Sequence, residues 1–151
     1  MPDEFLTDPG CVGIQNELRR IYCALVLFTD RCVEATARTL EAASMMDDSV
    51  ILFASDNGGS PGMGGHNMPL RGRKSSLFEG GVRSASFVWS RRWLPDVARG
   101  TVYTGVAHIT DLLPTFLGLA TGGAWSPDPE RWTLDGVDQV RQRSFLGHLY
   151  I

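Results

Sequence analysis

A short apolar run, Val50–Ala54, constrains the fold of this 151-residue chain more than any other stretch. The run follows a long segment of helical pattern and leads directly into Ser55, Asp56 and Asn57. Continuous apolarity is typical of a strand covered on both faces, as in a parallel sheet flanked by helices. Such sheets bind ligands beyond the carboxyl ends of their strands. The stretch therefore predicts an α/β fold with a ligand site at Asp56 and Asn57.

The segment before the strand predicts helix. No proline or glycine occurs between residues 15 and 46, and the apolar residues follow a helical stripe, which indicates one long helix or two meeting near Thr29 and Asp30. Further elements are predicted after the strand: strands at 82–89 and 102–108, and a helix at 110–120 with Pro114 in its first turn.

A glycine-rich loop with a basic cluster follows the strand. Between residues 71 and 92 there are six basic residues and one acid, although the whole chain has a net charge of −3. A local basic excess without a continuing basic stripe favours a small anionic ligand over a polyanion, so we expect no nucleic-acid binding. The loop contains no G-x-x-x-x-G-K-[ST] phosphate-binding motif.

Oxygen-bearing and cationic side chains in this stretch indicate a metal and an anion. Asp56 has a carboxylate and Asn57 an amide carbonyl, and calcium binds both types of oxygen in a shell of about six to eight ligands. Two adjacent residues cannot fill that shell, so other ligands are required. Lys74 has the point charge that suits a sulfate or phosphate oxygen. By themselves, the residues S-D-N-G-G equally form a turn, and the basic cluster equally forms a solvated surface.

Four ordered segments carry a family resemblance: FASDNGG, NMPLRGRKSSLFEGGVR, HITDLLPTFLGLA and LDGVD. Together they cover about residues 20 to 138, and they resemble the sulfatase family, most of all the arylsulfatases of the arylsulfatase B type. The resemblance implies an alkaline-phosphatase-like α/β fold, a mixed or parallel sheet flanked by helices, which is incomplete here. It also implies hydrolysis of aryl or carbohydrate sulfate esters with a calcium ion and a formylglycine made from a cysteine in a C-x-P-S-R type motif.

The resemblance assigns roles to three residues. Asp56 and Asn57 match the later pair of calcium ligands in the family, and Lys74 matches the lysine that contacts the substrate sulfate. Six other basic, acidic or histidine side chains of the stretch and its surroundings receive no assigned role: Arg71, Arg73, Glu79, Arg83, His66 and His108.

The departures from the family pattern lie mostly before the strand. The three cysteines are followed by V-G-I, A-L-V and V-E-A, so the C-x-P-S-R motif does not occur in these residues. The family's first pair of metal-binding aspartates and its small C-terminal sheet domain are not recognisable either. We therefore expect residues 1–151 to be the later part of a sulfatase catalytic domain, a fragment or truncated product that is inactive alone. Two alternatives stay open: a non-enzymatic sulfatase-like product that binds calcium weakly or a partner, and a phosphoric ester hydrolase of the same superfamily.

The compartment is not determined by the residues themselves. The cysteine spacing fits no zinc or redox motif, and the helical pattern predicts that Cys23 and Cys32 are small buried hydrophobes. No signal peptide and no apolar run long enough for a membrane span are visible. The family resemblance implies a lysosomal or secreted protein.

Overall fold

A computed structural model of the chain describes residues 3–94, 100, 102, 104–126 and 133–139. The chain divides into two units, Met1–Phe87 and Val88–Ile151. The first unit contains the long helix, the apolar strand and the glycine-rich loop, and therefore all three residues of the predicted calcium and sulfate site.

The long helix is a single element, α2, which spans Glu17–Ala42. Asn16 caps its start, because the Asn16 side chain accepts a hydrogen bond from the backbone N–H of Arg19 at 2.9 Å. Such a cap satisfies one of the donors that a helix leaves unpaired in its first turn. Asp30 is an exposed residue within the helix and does not start a second one.

A disulfide joins α2 to a short preceding helix, α1, at Pro9–Val12. It links Cys11, which is fully buried, to Cys23 of α2. The prediction that Cys23 is only a buried apolar residue is therefore wrong, and so is the prediction of burial for Cys32, which is exposed and unpaired. Helical periodicity indicates which residues share one face of a helix. Disulfide formation and burial depend on which other segments pack against that face in the folded chain.

The sheet of the described residues has two strands, β1 at Val50–Ala54 and β2 at Ser86–Ser90. They run antiparallel, and the rings of Phe53 and Phe87 stack across them at 5.4 Å between centroids. A single turn of helix, α3, at Glu79–Val82 precedes β2, so the predicted strand at 82–89 began too early. The predicted fold class is confirmed as an incomplete α/β fold with helices and a small sheet. The pairing of β1 and β2 is antiparallel, not the parallel pairing expected from the apolar run, and no residue of β1 is fully buried.

The second unit begins within β2 and contains the helix predicted at 110–120. A 3₁₀ turn at Ile109–Asp111 leads into α4 at Leu112–Ala120. Pro114 lies in the first turn, as predicted, and is buried there. No strand occurs at residues 102 and 104–108, and residues 101 and 103 lie outside the described residues. The strand predicted at 102–108 is therefore not borne out where it is described. In the described part of the chain, no helix combines the length and apolarity that crossing a membrane requires.

Candidate functional site

The end of β1 presents Asp56 and Asn57 side by side. The backbone N–H of Ser55 donates to the carbonyl of Ala85 at 2.9 Å, which anchors the strand end against the residue before β2. Beyond this anchor the Asp56 side chain is exposed and the Asn57 side chain is half-buried. The Asn57 amide nitrogen donates to Asp56 Oδ1 at 2.9 Å, so the two side chains are held together.

The two side chains carry oxygen atoms of the type that calcium binds. Asn57 also donates from its amide nitrogen to the carbonyl of Gly58 at 3.4 Å, so its Oδ1 is the atom that a cation would contact. The Asp56 carboxylate is a charged oxygen donor on the neighbouring residue, and carboxylate and amide oxygens are both of the type calcium prefers. Among the described residues, no group of three or more His, Cys, Asp or Glu side chains converges as a metal site would require. By donor chemistry, Asp56 and Asn57 account for at most two of the about six to eight oxygen ligands that calcium takes.

Backbone hydrogen bonds connect the strand end to the loop that carries Lys74. The Lys74 N–H donates to the carbonyl of Gly59 at 3.2 Å, and the Gly58 N–H donates to the carbonyl of Gly81 at 2.9 Å. The Gly80 N–H donates in turn to the carbonyl of Arg71 at 2.7 Å. The strand-end segment, the basic loop and α3 thus meet through their main chains.

Lys74 lies in a tight turn formed by Arg73–Ser76. The Ser76 N–H donates to the carbonyl of Arg73 at 2.9 Å, and Ser75 has a positive φ of 71°. A positive φ at the third residue is the pattern of a type II turn and is strained for a residue other than glycine. The Lys74 side chain is exposed at this turn, and neither Lys74 nor Arg73 forms an ion pair within the described part of the chain.

Three other charged residues of the stretch have partners of their own. The guanidinium of Arg71 lies over the ring of Phe78, 4.0 Å from its centroid, in a cation–π contact. Glu79 and Arg83, four residues apart, form an exposed ion pair, with 3.2 Å between the Arg83 guanidinium and the Glu79 carboxylate. The side chains of Arg71, Glu79 and Arg83 therefore have partners within the chain and do not require a bound ligand to account for their positions.

The two histidines named in the sequence analysis, His66 and His108, lie in different units. His66 is exposed in the glycine-rich loop, where its Nδ1 accepts from the Met68 N–H at 3.3 Å. His108 lies in the second unit and caps the 3₁₀ turn, because its Nδ1 accepts from the Thr110 N–H at 3.3 Å. The structure thus assigns His108 a local capping contact.

Two polar residues with several hydrogen bonds were missed by the sequence reasoning. Asn67 bonds through its carboxamide to Gly59 and Gly72, and Asp111 is a buried carboxylate that receives three hydrogen bonds. Both residues lie in segments whose sequence predicts a turn or a helix cap, and Asn and Asp are common in such positions without any further role. One signal was available in the sequence: HITD and LDGVD both belong to the segments that carry the family resemblance, although no site residue was assigned to either.

Asp111 joins those two motifs within the second unit. Its carboxylate accepts from the backbone N–H groups of His108 and Val137, each at 3.0 Å, and from the Gln139 side chain at 2.6 Å. Burial by itself would raise the pKa of Asp111, but the hydrogen bonds outweigh burial and hold the pKa below its ordinary value. Asp111 is therefore a charged structural link between α4 and the 133–139 segment.

Comparison with known proteins gives consistent results. The family model described as Sulfatase matches residues 3–123 of the chain. The chain is 38% identical to Arylsulfatase J of Mus musculus over 126 residues, and 32% identical to N-acetylgalactosamine-6-sulfatase of Mus musculus over 127 residues. These alignments include 83% and 82% of this chain.

A solved structure titled "Crystal structure of Ps i-CgsB in complex with k-i-k-neocarrahexaose" superposes with a TM-score of 0.79 at 30% identity. The superposition covers 95% of this chain and 30% of that structure. The chain spans about a fifth of the length of the curated relatives it matches, 20% of Arylsulfatase J and 23% of N-acetylgalactosamine-6-sulfatase. With a family model matched over most of its residues and relatives above 30% identity, the chain belongs to the sulfatase family.

Proposed function

We propose that the chain carries the later part of the catalytic site of a sulfuric ester hydrolase. In this site Asp56 and Asn57 bind calcium, and Lys74 binds the sulfate group of an aryl or carbohydrate sulfate ester. The observation that carries the proposal is the hydrogen bond from the Lys74 N–H to the carbonyl of Gly59, two residues beyond Asn57. It ties the loop bearing the cationic side chain to the segment bearing the oxygen donors.

The chemistry of these residues supports binding of a charged, oxygen-rich group. A bound calcium ion supplies positive charge that polarises the oxygens of a sulfate ester. Asp56 and Asn57 would hold it through Oδ atoms, and the Lys74 ammonium would add a second positive charge and up to three donors. Since the 151 residues contain no C-x-P-S-R motif to supply a formylglycine, we expect no turnover from these residues alone.

We further propose that residues 1–151 form part of one catalytic domain, with the family-like region at about residues 20–138. A lysosomal or secreted location is supported by the disulfide between Cys11 and Cys23, because disulfides persist in oxidising compartments.

Calcium titration of the 151-residue chain tests the metal half of the proposal. We expect weak calorimetric binding, on the order of millimolar, because two protein ligands fill only part of the shell. Asp56→Asn removes the charged ligand and should abolish that binding. Asp30→Asn, at an exposed aspartate of α2, is the matched control and should leave it unchanged. Equal binding by wild type and Asp56→Asn would show that Asp56 is not a ligand.

Lys74 is the only lysine of the chain, so selective ¹⁵N-lysine labelling gives one backbone amide signal for the anion half. We expect sodium sulfate to shift this signal relative to sodium chloride at equal ionic strength. Lys74→Met, which has no lysine signal, should show weaker sulfate binding than wild type by calorimetry. An equal or larger response to inorganic phosphate would favour the phosphoric ester hydrolase. Absence of any response to calcium and sulfate would favour a non-enzymatic chain that binds a partner.

A further inference from the structure

Asn67 is a half-buried residue in the middle of the glycine-rich loop, and its side chain bonds to two other segments. Its Oδ1 accepts from the Gly59 N–H at 2.7 Å, and its Nδ2 donates to the Gly59 carbonyl at 2.8 Å. The same Nδ2 also donates to the carbonyl of Gly72 at 3.3 Å. One carboxamide therefore holds three main-chain groups.

The chemistry of the carboxamide matches this arrangement. An asparagine side chain has one carbonyl acceptor and two N–H donors, so it pairs with the N–H and C=O of a single residue as a neighbouring strand would. The carbonyl of Gly59 also accepts from the Lys74 N–H at 3.2 Å. The Asn67 side chain and the Lys74 main chain thus share one acceptor.

The carbonyl acceptors of Gly59 and Gly72 lie close in sequence to the proposed ligands. Gly59 lies two residues after Asn57, and Gly72 lies two residues before Lys74. The Asn67 side chain accordingly bridges the segment of the proposed calcium ligands and the loop of the proposed sulfate ligand. Glycine-rich chain has high conformational entropy, so such a loop does not hold a fixed geometry without bonds of this kind.

We propose that Asn67 is a positioning residue that holds Lys74 in place relative to Asp56 and Asn57. The role of Lys74 in this inference rests on the proposed function, whereas the coupling of the loop to Gly59 rests on the hydrogen bonds alone. Asn67 itself contacts no reacting group. It acts on anion binding through the loop geometry.

Asn67→Asp is the sharpest test, because it keeps the size of the side chain and its acceptor for the Gly59 N–H. At pH 7 the introduced carboxylate has no proton to donate, so the bonds to the carbonyls of Gly59 and Gly72 are lost. Lowering the pH to about 4 protonates a large fraction of a carboxyl with an ordinary pKa of about 3.9 and restores one donor. Asn67→Ala lacks this recovery at any pH.

The readouts use the 151-residue chain labelled with ¹⁵N-lysine. At pH 7 we expect the Lys74 amide of Asn67→Asp to exchange its hydrogen about tenfold faster than in wild type, with a several-fold weaker response to sodium sulfate. At pH 4 the ratio to wild type at the same pH should fall towards one for Asn67→Asp and stay high for Asn67→Ala. Asn16→Asp is the matched control, because it makes the same charge change at a helix cap where a carboxylate accepts equally well.

Each outcome bears on one of the two proposals. Unchanged exchange of the Lys74 amide in both Asn67 variants would overturn the positioning role. Wild-type sulfate binding retained in Asn67→Ala would overturn it as well. Fast exchange in the variants without any sulfate response in wild type would support the coupling of the loop and overturn the proposed function of Lys74. If Asn67→Ala does not fold, the comparison of pH 4 and pH 7 within Asn67→Asp decides the question in a single protein.

Discussion

At the scale of single residues, the second unit depends on a buried charge. Asp111 is 7% exposed and accepts hydrogen bonds from two backbone N–H groups and from Gln139. Gly136 lies so close to the carbonyl of Thr110 that a side chain at this position would collide with it. The motifs HITD and LDGVD are therefore joined in two ways: the Asp111 carboxylate accepts from the Val137 N–H, and Gly136 packs against the Thr110 carbonyl.

We predict that Asp111 makes the stability of the chain fall at acid pH. Its pKa in the folded chain is lowered from 3.8, so the unfolded chain binds the proton more readily. The stabilising contribution is complete above that ordinary value and is lost as the pH falls through the lower folded value. Urea denaturation followed by tryptophan fluorescence at pH 7 and at stepwise lower pH measures this dependence.

Asp111→Asn should lower the free energy of unfolding at pH 7 by about 2–3 kcal/mol, because an amide nitrogen then faces some of the donors. It should also remove the part of the acid dependence that Asp111 contributes. Asp135→Asn, at an exposed aspartate of the same segment, is the control and should change neither. An acid dependence that is identical in Asp111→Asn and wild type would contradict the assignment.

At the scale of elements, direct contacts between main chains form the junction of β1, the loop and α3. Gly58 packs against the carbonyl of Gly80, and Gly80 packs against the carbonyls of Arg71 and Gly72. A side chain at either glycine would meet backbone, which cannot move aside as a flexible side chain does. The E-G-G-V segment therefore has a packing role, namely close approach of α3 to the strand end.

We predict that Gly58→Ala destabilises the first unit by about 3 kcal/mol or more, because the added Cβ forces the backbone segments apart. Gly62→Ala is the matched control within the same loop, since a Cβ at Gly62 meets nothing within 4 Å. It should leave the urea midpoint within the range of an ordinary surface substitution, about 0.5 kcal/mol. A similar midpoint for both variants would contradict this account of the junction.

At the scale of the whole molecule, the described residues bury little apolar surface. Apart from Pro114 and glycines, only Cys11, Ala24 and Met46 are buried apolar residues in the described part of the chain, whereas large exposed ones include Leu77 at 96% and Val106 at 89% exposure. The disulfide between α1 and α2 offsets part of this deficit, because it closes a loop across a sequence separation of 12 residues and restricts the unfolded chain.

We predict that the isolated 151-residue chain melts over a broad temperature range and binds an apolar fluorescent dye in its folded state. A small core gives a weakly cooperative transition, and exposed apolar side chains bind such dyes. Circular dichroism on heating and dye fluorescence at 25 °C measure the two properties. A sharp two-state melt without dye binding would contradict the prediction.

The local elements with strong signals followed from the residues alone. The proline-free stretch before Asp47 predicted the long helix, and the apolar run Val50–Ala54 predicted β1 with Asp56 and Asn57 at its end. Pro114 marked the start of α4. Ordered motifs also sufficed to recognise the family, because their residue types and spacing carry information that survives without coordinates.

Only the tertiary structure decided which distant residues meet. The pairing of Cys11 with Cys23, the bonds of Asn67 to Gly59 and Gly72, and the bonds of Asp111 to the 133–139 segment all join positions that no local period connects. Hydrogen bonds and disulfides act over a few ångströms, whereas helical and strand periodicity describes only neighbours along the chain. The sequence by itself therefore determined the long helix, β1, α4 and the family, and the folded chain decided how the strand end and the loop of Lys74 are held together.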